Sequence, residues 1–323
     1  MPSHEKPETT IETEQPFSFE HWLDVELQKQ YIKIAKALNE VGLLEIIPDT
    51  DEKGIRGIDG NVYPIPTIET IKAELMKNRE IYELKMKQGF TKINLVPIAL
   101  PIAKLIDVYR IQLLDHFKRK KLFYPPKNPN DKPEPITEEG FNDKNPFHIA
   151  EEYKATTINK SLKYYPGSFG YNNGVYKKEL LAELEKTPFS GWIIELFEGH
   201  SSIPRRGKGK TKGGRKQIEA GRSATGYFAQ LLLPEYRHET GQTIESVLAQ
   251  AITNLHINNQ VLDTVGTESG CINLLFGNLN PLGEQFPYFD WGRDDHHAYI
   301  DQTDNSYSSE FLGFRPIVLV GHC

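Results

Sequence analysis

Cysteine is nearly missing from this chain: 323 residues carry two, Cys271 and Cys323, and no CxxC or Cys/His spacing offers a zinc ligand set. Secreted scaffolds are usually richer in cysteine, so a reducing, cytoplasmic setting is the expectation, with a Cys271–Cys323 disulfide as the alternative. Long apolar runs are missing too. None approaches the roughly 20 residues that a membrane-spanning helix needs, so no membrane partner is expected. Met1 to Gln15 is polar and acidic, without the basic start and apolar centre of a signal peptide, and residues 1–17 read as a disordered lead-in. Lysine is absent after Lys216. Residues 1–216 carry 34 basic and 31 acidic side chains, whereas residues 217–323 carry four basic (Arg222, Arg237, Arg293, Arg315) against 13 acidic, so the two parts present different surfaces.

What is present is ordinary for a globular protein: 38% hydrophobic and 25% charged residues, enough to bury one large core or two smaller ones. The net charge of −6 argues against nucleic-acid binding by the chain as a whole. Apolar positions at helical spacing predict helices over 18–45, stopped near Gly42, and 67–88, capped by Thr67 and ended by Gly89. A β-like stretch, Thr91 to Ala99, precedes a third helix over 102–122, whose basic end suits the helix dipole. Residues 126–146 are rich in Pro, Asn and Lys and read as a linker. Beyond it the pattern predicts a helix over 176–186, a buried strand Trp192 to Phe197, helices over 216–232 and 243–262, and short β-like segments from Cys271 to a final strand, Phe314 to Val320. The fold class is therefore α+β: a helical region, 18–125, a linker, and a mixed region, 147–323, with a β-rich end.

Two stretches stand out chemically. From Arg205 to Lys216, seven cations (Arg205, Arg206, Lys208, Lys210, Lys212, Arg215, Lys216) alternate with glycines and no acid intervenes. Such a loop suits a solvated surface or an anionic partner such as nucleic acid. Gly209-Lys210-Thr211 matches the end of a phosphate-binding loop, but Pro204 stands where that motif needs its first glycine.

The second stretch, Tyr288 to Ser309, contains no Lys, Glu or Met. It is built from Asp, His, Tyr, Asn, Ser, Gly and Arg, the palette of binding surfaces in which Tyr gives contact area and small polar residues give adaptable hydrogen bonds. Tyr288, Asp290, Arg293, Asp294, His296, Tyr299, Asp301, Asn305 and Tyr307 are the expected binding residues, for a protein or glycan partner, with no cofactor. A metal-dependent hydrolase is the alternative, using some of Asp290, Asp294, His296, His297 and Asp301, with Arg293 steadying an anionic substrate. Against it, adjacent pairs such as Asp294/Asp295 and His296/His297 on a strand point to opposite faces.

Trp291, the polar stretch after it, and Gly313-Phe314-Arg315 before the closing apolar strand resemble the end of the C-type-lectin-like fold, as found in formylglycine-generating-enzyme relatives and in retroelement-diversified variable proteins. The resemblance implies a ligand-binding surface on a rigid scaffold, supported from below by Trp291, Phe314 and Arg315. It does not imply oxidase activity, because Cys271 and Cys323 do not form the neighbouring pair that activity uses.

Overall fold

A computed structural model describes residues 17–126, 131–137, 141–154, 161–165, 174–200, 202–266, 270–280 and 285–321. The chain is an α+β protein, and the helical N-terminal residues and the C-terminal strands share one core. Strand Lys92–Val96 pairs antiparallel with Ile193–Phe197, which pairs with Pro316–Leu319, which pairs with Thr240–Gly241. A single buried apolar cluster runs from Phe19 through Leu95, Trp192 and Leu248 to Val320. The regions read as 18–125 and 147–323 are thus joined by main-chain hydrogen bonds across this sheet.

The Pro-rich stretch is not a free spacer where it is described. Glu134–Pro135 pairs with Phe123–Tyr124, Ile136 is buried, and Phe141 stacks on Phe117 with ring centroids 3.8 Å apart. Apolar side chains between the prolines pull the segment onto the core, where composition alone suggested solvent. Residues 1–16 of the expected lead-in, and residues 127–130 and 138–140 of the linker, lie outside the described residues.

Local signals explain most elements. Thr67 accepts from the Thr70 amide and caps Ile68–Lys77; Thr243 accepts from the Ser246 amide and caps Ile244–Asn258. Two expected helices are cut short. The 67–88 helix breaks at Asn78, whose backbone leaves the helical region, and resumes as Arg79–Lys87. The 216–232 helix begins only at Ala224, because Arg215–Lys216 pairs with Thr211–Lys212 and Ile218 and Ala220 are buried in the segment between. The 18–45 pattern is realised as Phe19–His21, a π-helical turn Trp22–Glu26, and Leu27–Glu40.

Ile244–Asn258 is the central helix. It packs on Ile102–Lys118, on Leu27–Glu40 and on strand Lys92–Val96. Among the described residues, no helix is long and apolar enough to cross a membrane.

The second sheet carries the stretch singled out above. Its order is Leu312–Gly313, Ile272–Leu274, Gln285–Gly292, His297–Asp304 and Phe147–Ile149, with Thr264–Val265 parallel to the end of Gln285–Gly292. Gln285–Gly292 and His297–Asp304 form the long hairpin at its centre.

Candidate functional site

The hairpin register decides which side chains meet. Tyr288 pairs with Asp301 and Asp290 with Tyr299, while Phe289 pairs with Ile300 and Trp291 with Ala298. Opposed residues share a face, and successive residues alternate. Phe289, Trp291, Ala298 and Ile300 are fully buried in the main core, so Tyr288, Asp290, Tyr299 and Asp301 lie together on the outer face. The side chains opposite them in sequence force that choice.

Two hollows flank this quartet. One, of about 340 Å³, is lined by Asp290, Arg293, Asp294, Asp295, Tyr299 and Phe311. The other, of about 330 Å³, is lined by Tyr288, Gln302, Asp304, Tyr307 and Leu312 among others. Tyr307 is 53% exposed at its rim. Near it, the Asn305 carbonyl accepts from the Thr225 hydroxyl at 3.1 Å, which ties the end of the hairpin to helix Ala224–Leu231. A second, smaller core of Tyr227, Leu274, Phe276, Phe286 and Phe314 lies beneath that end.

The structure corrects the expected surface at three positions. Asp290 is 6% exposed: it sits at the floor of its hollow rather than out in solvent. Burial, then the negative charges of Asp295, Asp263 and Asp301, push its carboxyl up to about 8. His296 leaves the outer face, and Arg293 keeps only its aliphatic stem in the hollow's wall while its guanidinium turns away. His296, in a left-handed turn conformation, meets the Tyr124 hydroxyl through Nδ1 at 2.9 Å. The Arg293 guanidinium lies 4.0 Å from the Tyr124 ring centroid and pairs with Glu134 at 3.4 Å. Both clamp the hairpin tip onto the pair Phe123–Tyr124 and Glu134–Pro135.

The other nominated residues stay near the face. Asp294 is exposed at the rim, and Asp301 accepts from the Gln302 amide at 2.8 Å. Tyr299 donates to Asp295 and is flanked by His148 and His297. Burial beside acidic neighbours raises the phenols of both Tyr288 and Tyr299.

The metal alternative needs imidazoles and carboxylates around one point. His297 Nδ1 faces the Asp295 carbonyl at 2.6 Å and His296 faces Tyr124. Among the described residues, no group of three or more His, Cys, Asp and Glu side chains is placed to hold a metal ion.

The basic loop divides. Arg206, Lys208, Lys210 and Lys212 are exposed. Arg215 is fully buried, with Nη1 on Glu198 at 2.6 Å and Nε on Glu239 at 2.7 Å, and so belongs to the core and not to an anion-binding surface. Its flat guanidinium also lies over the Phe90 and Tyr236 rings. Burial opposes ionisation of Glu198, but the hydrogen bond from His200 and the charge of Arg215 prevail and hold it down at about 2. Arg205 donates to the Gly266 carbonyl at 2.8 Å and stacks on Phe311. Lys216 pairs with Glu219 at 3.0 Å.

Arg315 supports the hairpin from behind through Asp263. It donates from Nε to Asp263 Oδ1 at 2.8 Å, and the Asp263 carbonyl accepts from the Trp291 amide at 2.9 Å. Asn273 closes the node, donating to Asp263 at 3.0 Å and accepting from the Arg315 amide at 2.9 Å. Sequence reading missed Asp263 and Phe311, which come from outside the stretch and carry no local motif; Asp295 lies within the stretch but is not among the nominated residues. Sequence reading also missed a hollow of about 360 Å³ lined by Lys33, Lys92, His200, Gln250 and Asn254. Cys271 is buried, and burial pushes its thiol up to about 12; Cys323 lies outside the described residues.

No family model, no curated protein and no solved structure matches the chain.

Proposed function

We propose that the chain is a binding module, presenting the outer face of the hairpin Gln285–Asp304 to a protein or glycan partner. The observation that carries this reading is the register. It gathers Tyr288, Asp290, Tyr299 and Asp301 on one face between two hollows, over a backing of Phe289, Trp291 and Ile300. Amphipathic phenols and carboxylates on a rigid β scaffold recognise ligands at low entropic cost. The likeness of this segment to the end of the C-type-lectin-like fold, including the variable proteins, belongs to the same proposal, as does a cytoplasmic setting.

The test is selection of ligands for the full chain from a peptide-display library and a glycan array, in parallel with a Tyr288→Ser/Asp301→Ser/Tyr307→Ser variant. Ligands that bind the parent and lose at least tenfold affinity on the variant support the reading. Ligands indifferent to the three changes sink it.

A second reading has one observation in its favour. Arg206, Lys208, Lys210 and Lys212 are exposed together beside a tight turn at Gly213-Gly214, and an anionic partner would meet them there. Association with nucleic acid that weakens steeply with salt, and that is lost when these four become Ser, would support it.

A further inference from the structure

The Asp290 hollow carries an unresolved electrostatic demand. Asp290 is nine-tenths buried, yet among the described residues it makes no hydrogen bond or ion pair. Buried carboxylates are ordinarily partnered, and an isolated one is strongly disfavoured as the anion. Asp295 adds to the demand: Oδ2 takes the Tyr299 phenol, while Oδ1 is buried without a hydrogen bond and has only His297 Nδ1 nearby, at 3.8 Å.

None of the cations around the hollow pairs with Asp290, although Arg293 Nε is itself buried without a hydrogen bond. Arg293 lends only its aliphatic stem to the wall, close against Gly266, while its guanidinium covers Tyr124 and meets Glu134. Arg205 is held by the Gly266 carbonyl and Phe311, and Arg315 by Asp263. His297 lies against Asp295, and His148 against the Tyr299 ring. The site therefore holds a surplus of negative charge from Asp294 and Asp295, to which Asp290 adds on losing its proton, with Asp263 and Asp301 acting on Asp290 from neighbouring segments. Two aromatic rings, Tyr299 and Phe311, supply the remaining wall. Carboxylates beside aromatic rings are what a desolvated cation seeks.

We infer that this hollow, as part of the proposed binding face, is a receptor for one cationic side chain of a protein partner, the ammonium of a lysine or the guanidinium of an arginine. A neutral sugar would satisfy hydrogen bonds but leave the repulsion among the carboxylates untouched. A volume of about 340 Å³ admits one long side chain and opens to solvent for it.

Proton linkage follows. Asp290 without ligand holds its proton up to about pH 8, because burial and the neighbouring acids disfavour the anion. A cation favours the anion, so binding displaces the proton. Below that pH the competent fraction falls about tenfold per pH unit, and the apparent affinity falls with it.

The test uses the full chain and three probes: Nα-acetyl-lysine methylamide, Nα-acetyl-arginine methylamide and the neutral Nα-acetyl-norleucine methylamide, followed by amide chemical shifts. The cationic probes are expected to shift Gly292 and Tyr299, to bind at least tenfold tighter at pH 8.5 than at pH 6.5, and to lose at least tenfold on Asp290→Asn. The pH dependence of the parent chain is a readout independent of the variant's folding. Equal binding of the norleucine probe, equal affinity at the two pH values, or undiminished binding to Asp290→Asn would each overturn the receptor. A display-selected partner that needs Tyr288 and Tyr307 but ignores Asp290→Asn would overturn the receptor and leave the binding face standing. Failure to find any ligand for the hairpin would remove both.

Discussion

Replacing Asp290 with Asn should make the protein more stable at alkaline pH and should flatten part of its pH dependence. The Asp290 carboxyl stands at about 8 in the folded chain, against an ordinary 3.8. Between those values the folded state holds a proton that the unfolded state has released. Proton linkage then gives a slope of about −1.36 kcal/mol per pH unit, so stability falls as pH rises through this window. Over the whole window the ceiling is about 6 kcal/mol; water reaching Asp290 through its hollow screens the charge, and about 2 kcal/mol is the realistic expectation. Asn has nearly the same shape and no charge, so the penalty disappears in the variant. His116 and His238, whose imidazoles burial lowers, tilt the curve the other way in the acidic part of the range. They do so equally in both proteins, and the difference between the two curves isolates Asp290. The assay is urea unfolding followed by tryptophan fluorescence at half-unit steps from pH 5 to 9. Asp290→Asn should overtake the parent chain progressively towards pH 8 and then hold a constant lead. Parallel curves across that range would refute the assignment of a protonated, unpartnered carboxyl at the hollow's floor.

Other outcomes follow from the same geometry. Arg315→Ala leaves Asp263 buried without its cation and should lower stability by about 3–5 kcal/mol, read by denaturant midpoint, with hydrogen exchange at Trp291 rising most because its amide bonds the Asp263 carbonyl. Gly270→Ala should prevent correct folding of the neighbouring strand, since Gly270 has φ +87° and an added Cβ would fall 1.5 Å from the Thr264 carbonyl oxygen; a circular dichroism and melting profile like the parent's would contradict this. Tyr307→Ser should change stability by less than about 0.5 kcal/mol, because the ring is half in solvent, while weakening any partner of the hairpin face.

The sequence made much of the scaffold readable because those signals are local. Thr67 and Thr243 stand at helix starts, and the apolar run Trp192 to Phe197 is a strand with both neighbours paired. Strand Lys92–Val96 was visible as β-like, but its partner lies about a hundred residues on, and nothing local identifies it. For the same reason a helical region and a mixed region looked separable. Arg215 belonged by composition to a basic loop, yet Glu198 and Glu239, which draw it inward, are distant in the chain.

At the candidate site, the palette of Tyr288 to Ser309 was legible, and so was the direction of Asp290. Phe289 and Trp291 must face the core, so Asp290 must face the other way. Its depth was not legible. Phe311 and Gly266, which wall it in, come from other segments, and the Arg293 that follows it three residues later turns away to Tyr124.

The binding face itself is tested most directly by hydrogen-exchange footprinting of the full chain with its best display-selected ligand. Protection confined to the amides of 288–304 and to Tyr307 is the predicted result. Protection centred instead on the hollow beside Lys33, Lys92 and His200, with the hairpin unchanged, would contradict it.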